Sequence, residues 1–244
     1  NAAAAELYPG MVRELHAMGG DEKWLHLIRR VFAGNIFDLG SPSTMHLAEE
    51  SPDFPQAVEN VKPRPWLVDD FDRLLEDLPE GPPTKWSKAV VFVDNAGCDF
   101  VLGVMPLVRE LAIYGMQVVL AANELPSLND ITVDEMIEVV TSISKDDPDL
   151  EALVQAQMFE AVSTGGDTPL VDLSNVTDEL NAAAADADLV ILEGMGRAVE
   201  SNFDAAFTVD TLKLALLKDP NVAAHIGGEV YDSVCKYEPA EEGE

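Results

Sequence analysis

Apolar strands alternating with helices from about residue 89 onward predict an α/β fold built on a mainly parallel sheet, preceded by a helical segment at the N-terminus. Three observations carry this. Short apolar runs at 89–93, 117–122 and 189–192 read as strands, and segments with helical spacing fill the gaps between them. A length of 244 residues suffices for one large α/β domain and falls short of two with a linker.

Taken in order, residues 5–32 carry apolar positions at helical spacing (Leu7, Met11, Leu15; then Trp24, Leu27, Ile28, Val31), and Gly19-Gly20 divides them into two helices. Gly34 and Gly40 flank polar residues and predict a tight loop. A helix is expected over 43–49. Prolines crowd 51–84 around one acidic helix over 68–78, which sets a boundary between a helical segment with a Pro-rich connection (1–84), part of the same unit, and an α/β domain (85–244). Beyond it the expectation is strand 89–93, helix 100–114, strand 117–122 and helix 133–141. A less regular stretch containing 150–161 follows, then a short strand 170–173, helix 176–185 and strand 189–192. A run over 212–217, a helix over 222–226 and a last segment over 230–237 finish the chain.

Lys and Arg total 15 against 45 Asp and Glu, a formal charge of −30 that argues against nucleic acid or an anionic membrane surface as partner. An anionic substrate is repelled by such a surface unless a cation and a few basic groups reverse the sign locally. Cys98 and Cys235 have no paired spacing, so neither a disulfide framework nor a zinc knuckle is supported, and a reducing, cytoplasmic setting is expected. No apolar run is long enough to span a bilayer, and the start Asn1-Ala-Ala-Ala-Ala lacks the basic residues of a targeting signal. The missing initiator Met suggests a trimmed or partial chain.

In a parallel sheet the loops leaving the strand C-termini share one edge, where ligands bind. Asp94 and Asn95 follow one strand; Asn123 and, after a short loop, Asp130 follow the next. Two carboxylates and an amide oxygen supply part of an octahedral shell for a divalent metal, leaving room for water and a phosphate oxygen. The competing reading is that Asp94 and Asn123 cap the helices or turns behind them. Glu193-Gly-Met-Gly-Arg197 follows a third strand; its order falls short of a dinucleotide fingerprint, but Arg197 offers a planar fork of donors for phosphate, against the alternative of a surface salt bridge. Lys213 is either a phosphate-binding charge or an outward strand residue. Asp99, at a helix start, is either a dipole-stabilising acid or a proton-transfer group. Cys98 and the scattered His16, His26, His46 and His225 receive no role.

The segments Phe92-Val-Asp94-Asn95-Ala-Gly97, Asn123-Glu-Leu-Pro-Ser-Leu-Asn129-Asp130-Ile-Thr132 and Glu193-Gly-Met-Gly-Arg197 together resemble the metal-dependent damage-control phosphatases. Within that family the likeness is greatest to the C-terminal domain of the fourth pantothenate kinase isoform and its stand-alone plant counterparts. Phe32-Ala-Gly-Asn35-Ile-Phe-Asp38-Leu-Gly40, Arg64-Pro-Trp66, Leu212-Lys213-Leu and the stretch from Gly227-Gly228 to Lys236-Tyr237 extend it over nearly the whole chain. The resemblance implies a three-layer sandwich with a Rossmann-like sheet, a divalent metal (Mg, Mn, Co or Ni) on Asp94, Asn95 and Asp130, and hydrolysis of a small phosphorylated metabolite, 4′-phosphopantetheine or its damaged forms. Asn35, Asn123, Glu193 and Arg197 match positions around the family's pocket, and Lys213 matches a lysine suited to phosphate.

On this reading Lys213, Arg197 and loop amides stabilise charge developing on the phosphoryl oxygens, with Asp99 as proton-transfer candidate. Water or the Asp94 carboxylate attacks in line, and the sequence leaves both open. The competing functions are a sugar-phosphate phosphatase of the same family, a nucleotide- or S-adenosylmethionine-binding α/β enzyme, and a non-catalytic interaction domain on the same scaffold.

Overall fold

The computed structural model describes residues 1–36, 54–81 and 84–240. The helix expected over 43–49 lies outside them, as do Asp38 and Gly40.

Helix α1 (Ala2–His16) and helix α2 (Gly20–Ile36) form where the apolar spacing predicts them, burying Tyr8, Met11 and Leu15 from the first and Trp24, Leu27, Ile28 and Val31 from the second. Helix α2 runs on through Gly34-Asn35-Ile36, where a tight loop was expected. Gly34 is there for close approach: a Cβ on it would stand 2.8 Å from the Cα of Asp99. Helix α3 (Phe54–Asn60) follows. The single acidic helix expected over 68–78 divides into strand β1 (Val68–Asp69) and a short helix α4 (Phe71–Leu75), because Val68 and Asp69 pair with the last strand of the sheet.

Strand β2 (Lys88–Phe92) leads through a π-helical turn (Asp99–Val104) into helix α5 (Met105–Ile113). Strand β3 (Gln117–Ala122) leads to helix α6 (Val133–Ile143), begun by a capping box in which Thr132 and Glu135 satisfy each other's backbone amides. The irregular stretch resolves into helix α7 (Pro148–Gln155), capped by Asp147, and strand β4 (Phe159–Ser163). No strand forms over 170–173: the Val171 amide donates to Ser201 Oγ at 3.4 Å and its carbonyl accepts from Asn202 Nδ2 at 3.1 Å, so side chains take the bonds a ladder would have supplied. Helix α8 (Asp178–Ala184), strand β5 (Leu189–Glu193), a second π-helical turn (Met195–Glu200), strand β6 (Asp210–Leu216), helix α9 (Pro220–His225) and strand β7 (Ser233–Glu238) complete the molecule.

The seven strands lie in the order β1-β7-β6-β5-β2-β3-β4. Strands β2 to β6 are mutually parallel, and β7 reverses against β6, giving the mixed, mainly parallel sheet of an α/β fold. Both faces are buried. Ala89, Val91 and Val93 join α1, α2 and α5 on one side, while Val90 and Phe92 join Leu180, Ala183 and Ala198 on the other. From β2 the chain steps outward to β3 and β4, then returns to place β5 on the other flank of β2. The gap between the ends of β2 and β5 is therefore the switch point at which α/β sheets open a crevice.

Candidate active site

The residues leaving β2, β3 and β5 meet at that switch point. The loop after β3 folds back on the residues after β2: Asn95 and Asp130 form an isolated antiparallel bridge, Ile131 N–H donates to Asp94 O at 3.0 Å, and Ala96 N–H donates to Asn129 O at 2.9 Å. Val133 N–H returns to Asn123 O at 2.9 Å, so the start of α6 is tied to the end of β3. These backbone bonds bring Asp130 beside Asp94 although 36 residues part them.

Side chains then form two tiers. Deepest are Asp99 and Glu193, each 1% exposed, with Asn35 at 0% between them. Asn35 Nδ2 donates to Asp99 Oδ1 at 2.9 Å and Glu193 Oε1 at 2.6 Å; Glu193 Oε2 accepts from Asp94 N–H at 2.8 Å, and Asp99 Oδ2 accepts from Asn95 Nδ2 at 2.8 Å. Every oxygen of this inner pair thus holds an amide donor. Nearer the surface are Asp94, Asn95 and Asp130, joined by Arg197, whose guanidinium bridges Asp94 Oδ1 and Asp130 Oδ2, the latter at 2.9 Å, and reaches Asn123 Oδ1 at 3.2 Å. Asn123 Nδ2 also donates to Asp130 Oδ2, at 2.9 Å. Arg197 is a buried bridge between carboxylates, and the surface salt bridge weighed for it is excluded.

Electrostatics follow from that burial. Desolvation, then the neighbouring Asp94 charge, push Asp99 up to about 7, opposed by Lys218 and the amides of Asn95 and Asn35. Glu193 rises well above the ordinary carboxyl range through burial and the charges of Asp99 and Asp94. Burial works against the charge of Arg197, but Asp94 and Asp130 outweigh it and hold its pKa above the usual value. Four buried carboxylates, Asp94, Asp99, Asp130 and Glu193, stand against the two buried cations Arg197 and Lys218, a formal excess of two negative charges. Asp94, Asp99 and Glu193 each present a carboxylate oxygen within 4.8 Å of the others, a spacing able to hold a metal ion.

The Gly-Met-Gly stretch after β5 serves the protein's own atoms. Gly194 has φ +92°, and a Cβ there would overlap the Asp94 carboxylate; a Cβ on Gly196 would lie 2.5 Å from Pro169 O. The two glycines thus make room for the protein's own Asp94 and Pro169. Both π-helical turns begin at this site, one at Asp99 and one just after Gly194.

Lys213 is not brought into the cluster. Its Nζ donates to Phe203 O at 2.9 Å, Ala205 O at 3.0 Å and Glu238 Oε2 at 2.8 Å. Side chains alternate along β6, so Lys213 shares a face with Ala215 and Leu217, whereas Asn35 and helix α2 cover the face of Leu212, Leu214 and Leu216. The lysine near the carboxylates is Lys218, 2% exposed, whose charge lowers the pKa of Asp99. Sequence reasoning passed over it, although the strand-end rule that selected Asp94 and Asn123 selects Lys218 just beyond β6 as well.

Residues 1–234 match the model of the damage-control phosphatase ARMT1-like domain. The chain belongs to this family. A damage-control phosphatase of Arabidopsis thaliana is 43% identical over 97% of this chain and 64% of its own length. Pantothenate kinase 2 of the same plant is 40% identical over 98% of the chain, which covers 30% of that protein. The mouse 4′-phosphopantetheine phosphatase is 31% identical over 98% of the chain and 35% of its own length. This family member therefore spans from under a third to just under two thirds of these relatives. A DUF89 family protein from Pyrococcus horikoshii shares the fold, with a TM-score of 0.64 at 20% identity over 95% of this chain and 71% of its own. No helix among the described residues is long and apolar enough to cross a membrane.

Proposed function

We propose that this damage-control phosphatase domain hydrolyses a small phosphomonoester with a divalent cation held at the mouth of the cluster by Asp94, Asn95 and Asp130. The observation that carries the reading is the bonded pairing of the loops after β2 and β3, which gathers hard oxygen donors at the switch point with a formal charge one dication offsets. Two carboxylate sets share Asp94. Both sets already accept hydrogen bonds, the outer one from Arg197, Asn123 and Asn95 Nδ2, which donates to Asp94 Oδ2 at 3.0 Å. The outer set is preferred because the paired loops after β2 and β3 gather it nearer the surface, while Asp99 and Glu193 lie deeper and hold Asn35, Asn95 and the Asp94 backbone.

When bound, a dication supplies Lewis-acid polarisation of a phosphoryl oxygen. The chain's own residues do the rest. Arg197, whose terminal N–H groups are taken by Asp94, Asp130, Asn123 Oδ1 and Pro169 O, holds the two outer carboxylates together and adds positive charge beside the phosphoryl position. Lys218 adds a compact positive charge beside Asp99, and Asn123 keeps Asp130 in place. Asp99 acts as a holding residue, since its oxygens are engaged by Asn35 and Asn95. Within the phosphomonoesters, 4′-phosphopantetheine or its oxidised forms is the favoured substrate, supported by the 31% identical mouse phosphatase. Mg, Mn, Co and Ni are the metals to try.

The test is phosphate release from a phosphomonoester panel with each metal, paired with calorimetric metal binding to Asp130→Asn and Asp99→Asn. The reading expects metal-dependent release, with affinity lost more in Asp130→Asn than in Asp99→Asn. Metal-independent release, or the reverse order of affinities, overturns the assignment.

A further inference from the structure

The π-helical turn that carries Arg197 spends its backbone bonds unusually. Ser201 N–H donates to Gly196 O, five residues back, at 3.1 Å, so the bond that an α-helix would run from Ser201 to Arg197 O is used elsewhere. A side chain takes its place. Asn202, 6% exposed, donates from Nδ2 to Arg197 O at 3.0 Å, to Val171 O at 3.1 Å and to Ser201 Oγ at 3.0 Å. Ser201 works beside it: its Oγ donates to Gly196 O at 2.7 Å and accepts the Val171 N–H at 3.4 Å.

The Val171 end of this clamp matters because residues 168–171 form a wall of the carboxylate cluster. Thr168 O accepts from Asn123 Nδ2 at 2.9 Å, and Pro169 O accepts from Arg197 Nη1 at 3.3 Å. One amide thus ties the backbone of Arg197 to the wall that its own guanidinium touches. The same guanidinium bridges Asp94 and Asp130. An arginine stem has several rotatable bonds, so a planar fork at its tip is only as well placed as the backbone it hangs from.

We propose that Asn202 is a positioning residue for the outer carboxylates: by fixing the Arg197 backbone against the 168–171 wall, it sets where the guanidinium holds Asp94 and Asp130. The inference rests on the phosphatase reading, in which those two carboxylates hold the dication. The chemistry suits an amide, since two carbonyl oxygens face one side chain and an amide NH2 offers a hydrogen to each.

Manganese binding is measured by calorimetry on the full chain, with melting temperature alongside. Asn202→Ala weakens binding by about 10–100-fold, the usual cost of losing a group that holds a metal ligand in place. Asn202→Ser, which keeps one donor for two carbonyls, falls between Asn202→Ala and the unsubstituted chain. Leu150→Ala, which truncates a fully buried side chain of α7, lowers the melting temperature at least as far and leaves manganese affinity unchanged. Coupling separates positioning from bulk stability. In an Arg197→Lys background, whose point charge cannot bridge two carboxylates, adding Asn202→Ala changes affinity by less than about twofold. Equal loss of affinity in Leu150→Ala, no loss in either Asn202 variant, or effects that simply add in the Arg197→Lys background overturn the positioning role, while metal-dependent phosphate release by the unsubstituted chain keeps the phosphatase reading. Release that no metal stimulates overturns that reading, and this role with it.

Discussion

Replacing Gly34 by Ala adds one methyl group to helix α2, where intrinsic propensity alone favours Ala by about 1 kcal/mol. The structure predicts the opposite sign. The added Cβ would meet Asp99 Oδ1 at 2.6 Å and Asp99 Cα at 2.8 Å, and a backbone atom cannot swing aside. Ordinary carbon contacts begin near 3.5 Å, so α2 must retreat by roughly 0.7 Å. The next residue is Asn35, whose amide bonds of 2.9 Å and 2.6 Å to Asp99 and Glu193 open with that retreat. Overpacking costs about 1–3 kcal/mol and weakened bonds to charged acceptors about 1.5–3 kcal/mol. Set against the propensity gain, the net loss is roughly 1.5–5 kcal/mol, or about 3–20 °C in melting temperature for a chain of this size. Because the same retreat misplaces the cluster by nearly 1 Å, turnover falls about 100-fold. Gly10→Ala in α1 is the matched control. Its Cβ would meet only Arg13 Nη2, at 3.7 Å, and the variant gains about 0.5–1 kcal/mol. Thermal melts and metal-dependent phosphate release on both proteins decide it: Gly34→Ala as stable and as active as Gly10→Ala refutes the reasoning.

Lys218→Met lowers turnover with little loss of fold, whereas Lys213→Met strips partners from two carbonyls and Glu238 and costs about 1–3 kcal/mol of stability; denaturation and kinetics on both expose the error if Lys213 alone controls the rate. In the metal-free protein Asp99 has a folded pKa of about 7, above its unfolded value of 3.8, so its contribution is complete below the lower value and is lost as pH rises through the higher. Melting temperature between about pH 5.5 and 8 should fall with rising pH and fall less steeply in Asp99→Asn, where the raised Glu193 still titrates in the same direction, and a flat profile for the unsubstituted protein contradicts this. Far from the site, Arg109 Nη2 donates to Asp147 Oδ1 and Asp149 Oδ2, each at 2.9 Å, and Tyr8 Oη–H donates to Asp147 Oδ2 at 3.3 Å. Arg109→Leu strands the buried Asp147 charge and costs about 3–5 kcal/mol, with KM of the folded fraction kept; a changed KM would mean this ion pair reaches the cluster.

Much of the sheet was legible because its strands are buried on both faces, which writes apolar runs such as Ala89–Val93 directly into the chain. Strand β4 was blurred because it is the edge strand and half exposed, so its residues Phe159–Ser163 carry a mixed pattern. The false strand over 170–173 has strand composition but spends its hydrogen bonds on Ser201 and Asn202, which no local pattern announces. Gly34 was misread for a related reason: a glycine needed for contact with Asp99, 65 residues away, looks locally like a glycine needed for a turn. At the site, position after a strand found Asp94, Asn95 and Asn123, because topology alone sends those ends to one edge, while resemblance supplied Asn35 and Glu193. Lys213 was chosen as a lone charge in an apolar strand and by motif resemblance. It lies on the face of Val90 and Phe92, from which Asp94 follows, but sits inside β6 beside Leu192 with its charge spent on Phe203 O, Ala205 O and Glu238, which no local pattern announces.

The acid excess supplies a test of how substrate arrives. A dication would bring the formal charge of the cluster to zero, so on the proposed reading a phosphomonoester would be drawn in by the short-range charge of the metal, Arg197 and Lys218 while the −30 of the whole chain repels it from farther out. Buried donors are screened little by salt, whereas the surface field is cut to a range of about 8 Å at 0.15 M. Raising ionic strength at saturating metal should therefore lower KM for a dianionic ester and leave kcat unchanged. A neutral inhibitor of similar shape should show no such trend. A KM that climbs with salt would mean that long-range attraction brings the substrate in, and the basic groups responsible would then have to lie outside the Asp94 cluster, which would remove Arg197 and Lys218 as the principal source of that attraction.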